Sequence, residues 1–444
     1  MLTLKEIIKS LRTAQFDNLD LWRARAIFWI AGAFAGLAVV LFAQLTAWAI
    51  NMFFGIQKNY WWAPLLLTSL GGGLIVWITQ RWFAAARGSG IPQTIAALQD
   101  GHDAQAISKL VSLRVAIAKV LLGAGAVGVG FSSGREGPSV QVGAGVMHAF
   151  SRFLPANSHL NYKHMVLAGG AAGISAAFNT PLAGVIFAIE ELGRKFEQKA
   201  NGVVITAIIL SGLVSLSLMG NYTYFGSLKV GQVTAGIALP LLTCAVVCGI
   251  AGGIFSAILI KTSRPMPGLV GRLRQMHPAG WAAFCGLLIA LLGLLSDGAA
   301  QGSGYIYTRE MLQGNISEPW SYAPIKYLAT LLTYLSGIPG GIFAPSLAIG
   351  AGIGNDLMLV FGGQYTQATI CALCMAGFLA AVTQAPITSF IIVMEMIDGH
   401  EMVLSLMAVA LLSTVVSRIF SPPLYLTLAD GFKASSKVEK GNSP

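Results

Sequence analysis

The sequence predicts an all-α, polytopic membrane protein in which two related halves contribute many tilted and broken helices. Composition is the first indication, because charged residues make up 10% of the 444 residues and hydrophobic residues 55%. Soluble domains carry about 25% charged residues, so most of this chain is expected to lie in a bilayer. Long apolar stretches and a motif order that repeats in the second half are the other two indications.

The apolar stretches are predicted to be helices. Several exceed the roughly 20 residues that cross a bilayer as a helix. They are rich in Ala, Leu, Ile and Gly and lack ten-residue alternation, which favours helices over a β-barrel. The 52 glycines allow close helix crossings and interrupted helices. The stretches begin near Ala26, Trp61, Val115, Val166, Val203, Ile237, Trp281, Leu328, Ala368 and Met402.

The same series of short motifs that interrupt the apolar stretches occurs twice in the same order. This repetition predicts two inverted-topology repeat halves within one transmembrane domain spanning 1–444. The first half covers about 26–219 and the second about 227–428. The last two matching motifs lie 43 residues apart in the first half and 41 in the second. A substrate site is expected where interrupted helices of both halves meet. The matching segments are 88–90 with 302–304, 134–138 with 341–345, and 179–190 with 384–395.

Both termini are predicted to be cytosolic. The N-terminal segment 1–25 is basic and precedes an apolar run that is too long for a signal peptide and lacks a cleavage site. A short polar tail is expected over 429–444. The net charge of +10 is attributed to cytosolic loops facing anionic lipid and not to nucleic-acid binding, because no basic patch gathers on a soluble domain.

Glu136 is the most informative single residue, since it lies in Gly134-Arg135-Glu136-Gly137-Pro138 between membrane-grade apolar segments. A carboxylate in a bilayer costs about 3 kcal/mol on insertion scales, so it usually lines a cavity or an ion path. Glycine permits an unwound backbone, and Pro138 suits the first turn of a new helix. Unpaired amides and the helix dipole would then face an anion. A structural Arg135–Glu136 ion pair is the alternative.

Four motifs in order, together with the paired Glu190-Glu191, resemble the CLC family of chloride channels and proton-coupled chloride transporters. The resemblance covers nearly the whole chain and is closest to bacterial members without a cytosolic regulatory domain. It implies chloride and protons as transported ions, no cofactor, a homodimer with one pathway per subunit, contact with membrane lipid, and a bacterial inner membrane location. The motifs are 88–92 (Gly-Ser-Gly-Ile-Pro), 134–138, 340–345 and Pro423-Leu424-Tyr425.

The resemblance implies that the hydroxyls of Ser89 and Tyr425 and the backbone amides of Ile342 and Phe343 bind chloride, and that Glu136 is the gate. Locally, Ser89 could instead be a helix N-cap, and Tyr425 an interfacial anchor. The alternative for Ile342 and Phe343 is that their side chains serve only in apolar packing. Neutral donors would attract chloride without the tight pairing of a Lys or Arg. Supporting roles are expected for Gly88, Gly90, Pro92, Arg135 and Gly137.

Three further charged residues are candidates. By resemblance, Glu191 is the internal proton acceptor of exchangers, a position that is generally apolar in channels. Glu190 is expected to be structural, and a solvated Glu190–Arg194 pair is the local alternative. Lys119 could snorkel, pair with a carboxylate, or add positive potential to the anion path.

The predicted function is chloride transport sensitive to voltage and pH, in the form of H⁺/Cl⁻ exchange. A passive chloride channel on the same fold is the alternative. An intramembrane serine hydrolase is remote, because the serines in glycine-rich breaks lack a candidate base and the protein is not expected to be an enzyme. No metal site is predicted, since the sequence shows no second ligand pair to accompany Cys371 and Cys374.

Overall fold

The computed structural model describes residues 19–99, 104–156, 158, 160–193, 201–220, 223–226, 235–315, 318–361 and 365–441. Regular structure in these ranges is helical, and the only strand-like pairing there consists of two isolated β-bridges. The predicted all-α class is therefore confirmed.

The first half contains nine α-helices within the described residues. A π-helical turn, Ala188–Leu192, directly follows the eighth. The helices are α1 (Leu19–Asn59), α2 (Ala63–Trp82), α3 (Ile91–Gln99), α4 (Ala104–Leu110), α5 (Leu113–Gly128), α6 (Glu136–Phe150), α7 (Tyr162–Phe178), α8 (Pro181–Phe187) and α9 (Asn201–Met219).

The second half contains ten α-helices within the described residues and follows a similar order. They are α10 (Ala238–Ser263), α11 (Gly268–Met276), α12 (Pro278–Leu295), α13 (Tyr305–Leu312), α14 (Tyr322–Ser336), α15 (Phe343–Phe361), α16 (Gln367–Thr383), α17 (Pro386–Ile397), α18 (Val403–Ser417) and α19 (Leu424–Gly441).

Eight helices of the described chain are long and apolar enough to cross a membrane, so the protein is a multi-pass membrane protein. All ten predicted apolar stretches are helical. Those near Val166 and Leu328 lie in helices of only 17 and 15 residues, α7 and α14. The candidate span α15 was not predicted as a span, because its start was read only as a binding motif.

The breaks between helices have matching geometry in the two halves. Helix α7 ends at Asn179 with φ 59°, and α16 ends at Gln384 with φ 57°. Asn is one of the residues most often found in this left-handed conformation, whereas β-branched residues rarely adopt it. Pro181 and Pro386 then begin α8 and α17, where a missing N–H costs nothing.

Backbone pairing joins the two broken regions at the centre of the molecule. Gly134 N donates to Gly341 O at 2.8 Å, and Gly341 N donates to Gly134 O at 2.9 Å. Glycine is required at 341, because a Cβ there would lie 2.9 Å from Pro138 Cδ. The pairing sets the start of α6 beside the start of α15. Gly340 N also donates to Gly88 O at 3.0 Å, which brings the 88–90 loop to the same place.

Two glutamates cap helices of the opposite half. The Glu190 carboxylate accepts from Ile387 N at 3.1 Å and from Thr388 N at the first turn of α17. Glu395 accepts from Leu182 N at 3.4 Å and Ala183 N at 2.8 Å at the first turn of α8. Carboxylates at helix N-termini satisfy orphan amides and complement the dipole. The expected structural role of Glu190 is therefore a cap between halves.

Parts of three predicted segments fall outside the described residues. Arg194 is among them, so the alternative Glu190–Arg194 pair has no structural description. Most of the basic segment 1–25 and the last residues 442–444 are also outside. Helix α19 continues to Gly441, so the expected polar tail over 429–444 is helical up to that residue.

Replacing Glu190 with Ala is expected to lower the free energy of unfolding by about 1–2 kcal/mol, the usual cost of a lost N-cap. Glu190→Gln should cost less, because its amide oxygen still accepts one hydrogen bond. Denaturant unfolding in detergent micelles measures both. Glu401→Ala, at an exposed carboxylate, is the control and should change little. A Glu190→Ala variant as stable as the parent would contradict the capping role.

Candidate functional site

Two buried hydroxyls without partners define the centre of the site. Ser89 is 4% exposed and Tyr425 is fully buried. Neither Ser89 Oγ nor the Tyr425 hydroxyl has a hydrogen-bond partner among the described residues. Leaving a polar group buried and unsatisfied costs about 1–3 kcal/mol, so such groups need an explanation. The Tyr425 hydroxyl is near enough to the Ser89 side chain to interact with it, which places both hydroxyls at one location suited to a ligand.

The local alternatives for these two residues are wrong. Gly90 N, at the start of α3, donates its hydrogen bond to the Gln93 side-chain oxygen at 3.1 Å, which leaves the Ser89 hydroxyl free of capping. The buried Tyr425 is not an interfacial anchor, because its ring stacks on Phe343 with centroids 6.0 Å apart and a 13° interplanar angle.

The 88–90 loop is shaped by its glycines and by a buried lysine. Gly88 and Gly90 have φ of 66° and 102°, values that favour glycine. Lys119 Nζ, fully buried, donates to Ala86 O at 2.7 Å and Gly88 O at 2.6 Å. The expectation that Lys119 snorkels or pairs with a carboxylate is therefore wrong, since backbone carbonyls receive its donors. Pro92 is the second residue of α3.

A matching clamp holds the equivalent loop of the second half. Lys326 Nζ is also fully buried and donates to three carbonyl oxygens in or beside the 302–304 loop. They belong to Ala300, Gln301 and Gly302, at 3.1, 3.2 and 2.9 Å. The sequence did not single out Lys326, although its place before α15 parallels that of Lys119 before α6. Each lysine therefore fixes the carbonyl oxygens of its own loop.

Two close approaches complete the central site. A Cβ on Gly137 would lie 2.3 Å from Ser89 Oγ, so only glycine leaves room for that hydroxyl. Ile342 immediately precedes α15 and Phe343 begins it, and amides at a helix start have no intrahelical acceptor and lie at the positive end of the dipole. The Phe343 side chain packs against Phe187 with centroids 6.3 Å apart. Side-chain packing and exposed backbone donors therefore coexist at these two residues.

Glu136 begins α6 and is fully buried beside this centre. Its Oε2 has no hydrogen-bond partner among the described residues, and its Oε1 lies 3.5 Å from the Tyr224 hydroxyl. The Arg135 guanidinium donates to Ala43 O on α1 at 2.9 Å and acts on Glu136 through its charge. The Glu136 carboxylate also interacts with the backbone amides of Glu136 and Ala344, at the starts of α6 and α15. It therefore occupies a place where helix-start amides are directed at a negative charge.

A cavity of about 520 Å³ opens onto Glu136. Its wall includes Ser303 and Gly304 of the second-half loop, together with Arg135 and Tyr305. The two glycine-serine-glycine loops are therefore used differently. The first supplies Ser89 to the central site, and the second lines the cavity that leads to the acid.

Tyr224 is a site residue that the sequence did not reveal. It belongs to residues 220–226, which lie between the two predicted halves, 26–219 and 227–428. The Tyr305 hydroxyl donates to Tyr224 O at 2.9 Å, and the two rings meet edge to face with centroids 4.9 Å apart. Phe178 packs on its other side at 5.7 Å. Residues from both halves thereby hold the Tyr224 hydroxyl beside Glu136.

Glu191 lies in the π-helical turn and is 6% exposed, whereas its neighbour Glu190 reaches across to α17. Single π-turns occur often at functional sites. Glu191 is within electrostatic range of Tyr425, which places it beside the central site. The matching position in the second half is Met396 on a regular α-helix. Only the first half carries a carboxylate there.

The cysteines have more neighbours than the sequence indicated. Cys244 and Cys248 on α10 approach Cys374 on α16, so a second pair does lie near the Cys371-Cys374 motif. All four are buried free thiols. Within the described residues, no group of three or more His, Cys, Asp or Glu has the arrangement to hold a metal ion.

The sequence and the fold both have relatives among known proteins. The family model for the voltage gated chloride channel matches residues 71–418. The H(+)/Cl(-) exchange transporter ClcA of Salmonella typhi is 28% identical over 431 residues, covering 93% of this chain and 89% of the relative. ClcA of Cronobacter sakazakii is 29% identical over 438 residues, with 93% and 90% covered.

Two solved structures share the fold. A slow cyanobacterial Cl-/H+ antiporter superimposes with a TM-score of 0.78 at 23% identity, covering 94% of this chain and 99% of that one. A CLC-type fluoride/proton antiporter gives 0.75 at 22%, covering 96% and 99%. Because the family model spans most of the chain and the helix arrangement agrees, this protein belongs to the voltage gated chloride channel family, whose members are transporters and channels and not enzymes.

Proposed function

We propose that this protein exchanges chloride for protons across the membrane. The observation that carries the proposal is the pair of buried, unpartnered hydroxyls of Ser89 and Tyr425. They lie next to helix-start amides, with the buried Glu136 carboxylate beside them. The curated relatives described above are named as H(+)/Cl(-) exchange transporters, which agrees with this reading of the site.

Chloride binds between Ser89 and Tyr425 and receives hydrogen bonds from their hydroxyls and from the amides of Ile342 and Phe343. These donors carry no net charge. Binding must be favourable enough for entry and weak enough for release, which neutral dipoles provide better than a lysine or arginine side chain would. The positive ends of α6 and α15 add attraction for an anion at the same place.

Glu136 couples the two ions. When ionised, its carboxylate occupies the anion path as a tethered substitute for chloride, and the Tyr224 hydroxyl stabilises it there through the 3.5 Å contact. When protonated, it no longer competes with chloride and swings toward the cavity. A proton taken up from the cavity side therefore opens the place that chloride needs.

Glu191 serves as the proton acceptor on the other side of the central site. Its burial in the π-turn and its proximity to Tyr425 support this role. A carboxylate at this position favours exchange over the alternative, a passive chloride channel on the same fold. The hydrolase alternative has no support, since neither Ser89 nor any other serine in the glycine breaks has a described base as hydrogen-bond partner.

The protein is further proposed to be a homodimer in the bacterial inner membrane, with cytosolic termini and one pathway per subunit. Apolar side chains of the short helices α8 and α17 support a covered surface. Leu182 is 47% exposed and Ile387 is 45% exposed, although neither helix is long enough to span a bilayer. These helices already contact each other through the caps made by Glu190 and Glu395.

Reversal potentials in opposed chloride and proton gradients test exchange directly. The parent protein is expected to reverse at a potential that depends on both gradients. Glu191→Gln should keep chloride flux and lose proton flux, so that its reversal potential depends on chloride alone. Glu401→Gln, at an exposed acid, should behave as the parent. A parent reversal potential set only by chloride would support the channel instead.

Glu136→Gln mimics the protonated side chain in size and charge. Chloride flux is expected to persist in this variant while coupling to protons is abolished and the dependence of flux on pH becomes flat. Radiolabelled chloride efflux from proteoliposomes over a range of pH measures this outcome. Chloride uptake that is still driven by a proton gradient in the variant would argue against Glu136 as the coupling residue.

Gly137→Ala is expected to weaken chloride binding by about tenfold or more. The new Cβ would displace Ser89 Oγ, and one hydrogen bond to a charged group contributes about 1.5–3 kcal/mol. Gly55→Ala is the control, because no atom lies within 4 Å of a Cβ at that helical glycine. Titration calorimetry with chloride compares them. Parent-like affinity in Gly137→Ala would show that Ser89 is not a ligand.

A further inference from the structure

The loop that carries Ser89 is surrounded by positive charge. Arg87 immediately precedes Gly88, and its side chain is exposed. Its Cδ lies 3.8 Å from the position of a Cβ on Gly337, so the side chain extends over the end of α14. Lys119 Nζ binds the carbonyls on either side of Arg87 in the chain.

Arg274 on α11 brings a third cation to this place. Its guanidinium donates to Thr262 O at the end of α10, which fixes the side chain. Arg274 is within electrostatic range of Arg87, and burial, followed by the charge of Arg87, lowers the pKa of Arg274. Tyr334 lies near both arginines and is in turn within range of Tyr425. The arginines therefore lie near a tyrosine that is itself close to Tyr425 of the central site.

No carboxylate compensates this charge within the described residues. Neither arginine nor Lys119 forms an ion pair there, and the Arg87 guanidinium has no described hydrogen-bond acceptor. Residues 261–276 contain four basic side chains and no acidic one. The groups that face Arg274 are Arg87, Tyr334 and Cys285. Like charges held together without a counter-ion are unfavourable, so the arrangement suits a mobile anion.

We propose that Arg87 and Arg274 form an anion-capture site that holds chloride transiently before it reaches Ser89 and Tyr425. The inference rests on the proposed chloride transport and adds the entry step to it. Arginines that solvent reaches attract anions over a distance of about a Debye length and release them readily, because solvent screens the pair.

The test is equilibrium exchange of radiolabelled chloride in proteoliposomes with equal chloride on both sides, which makes protein orientation irrelevant. Arg87→Gln, Arg274→Gln and the double variant are compared with Arg87→Lys. Arg272→Gln is the matched control, since Arg272 is exposed on the same helix. Each variant is measured over a range of chloride concentrations, at low ionic strength and with about 0.5 M of an impermeant organic salt.

At low ionic strength, each Gln variant should raise the KM for chloride about three- to tenfold with an unchanged kcat, within the usual range of electrostatic steering. Arg87→Lys and Arg272→Gln should stay within about twofold of the parent. High ionic strength should remove most of the difference, since the Debye length falls below about 5 Å.

An unchanged KM in the double variant at low ionic strength would overturn the capture site while leaving chloride transport intact. A raised KM that persists at high ionic strength, or that comes with a reduced kcat, would also overturn it, because it would indicate a structural defect. A parent protein that moves no chloride would overturn the proposed function as well.

Discussion

The pair of backbone hydrogen bonds between Gly134 and Gly341 is the constraint on which the site depends. It forces two helix starts, α6 and α15, to lie side by side, although their dipoles repel at that distance. Glycine is needed for this approach, since a Cβ at 341 would collide with Pro138. An anion between the helix starts removes the repulsion. The way in which the two halves are joined therefore favours an anion at this place.

The two halves share their scaffold and differ in their chemistry. Lys119 and Lys326 clamp matching loops through carbonyl oxygens, and Glu190 and Glu395 cap matching helices across the repeat boundary. These symmetric interactions provide rigidity. The halves differ where Glu191, in a π-turn, is matched by Met396 in a regular helix.

The sequence predicted the fold class and pointed to Ser89, Tyr425 and Glu136, which the structure brings together, because glycine and proline residues encode the helix breaks locally. It did not predict Tyr224, which reaches Glu136 only through packing against Tyr305 and Phe178 from separate helices. Nor did it predict the acceptors of Lys119, since backbone carbonyls leave no signal in residue type. Contacts between residues far apart in the chain depend on helix crossings that a periodic pattern does not specify.

The central claim is that uncharged hydroxyls and amides hold a halide ion at a junction of broken helices. Crystals grown in bromide test it most directly, because bromide replaces chloride and scatters anomalously. The account predicts an anomalous difference peak between the Ser89 and Tyr425 hydroxyls, within hydrogen-bond distance of both and adjacent to the first turn of α15. A map at useful resolution with no peak between these two hydroxyls would contradict it.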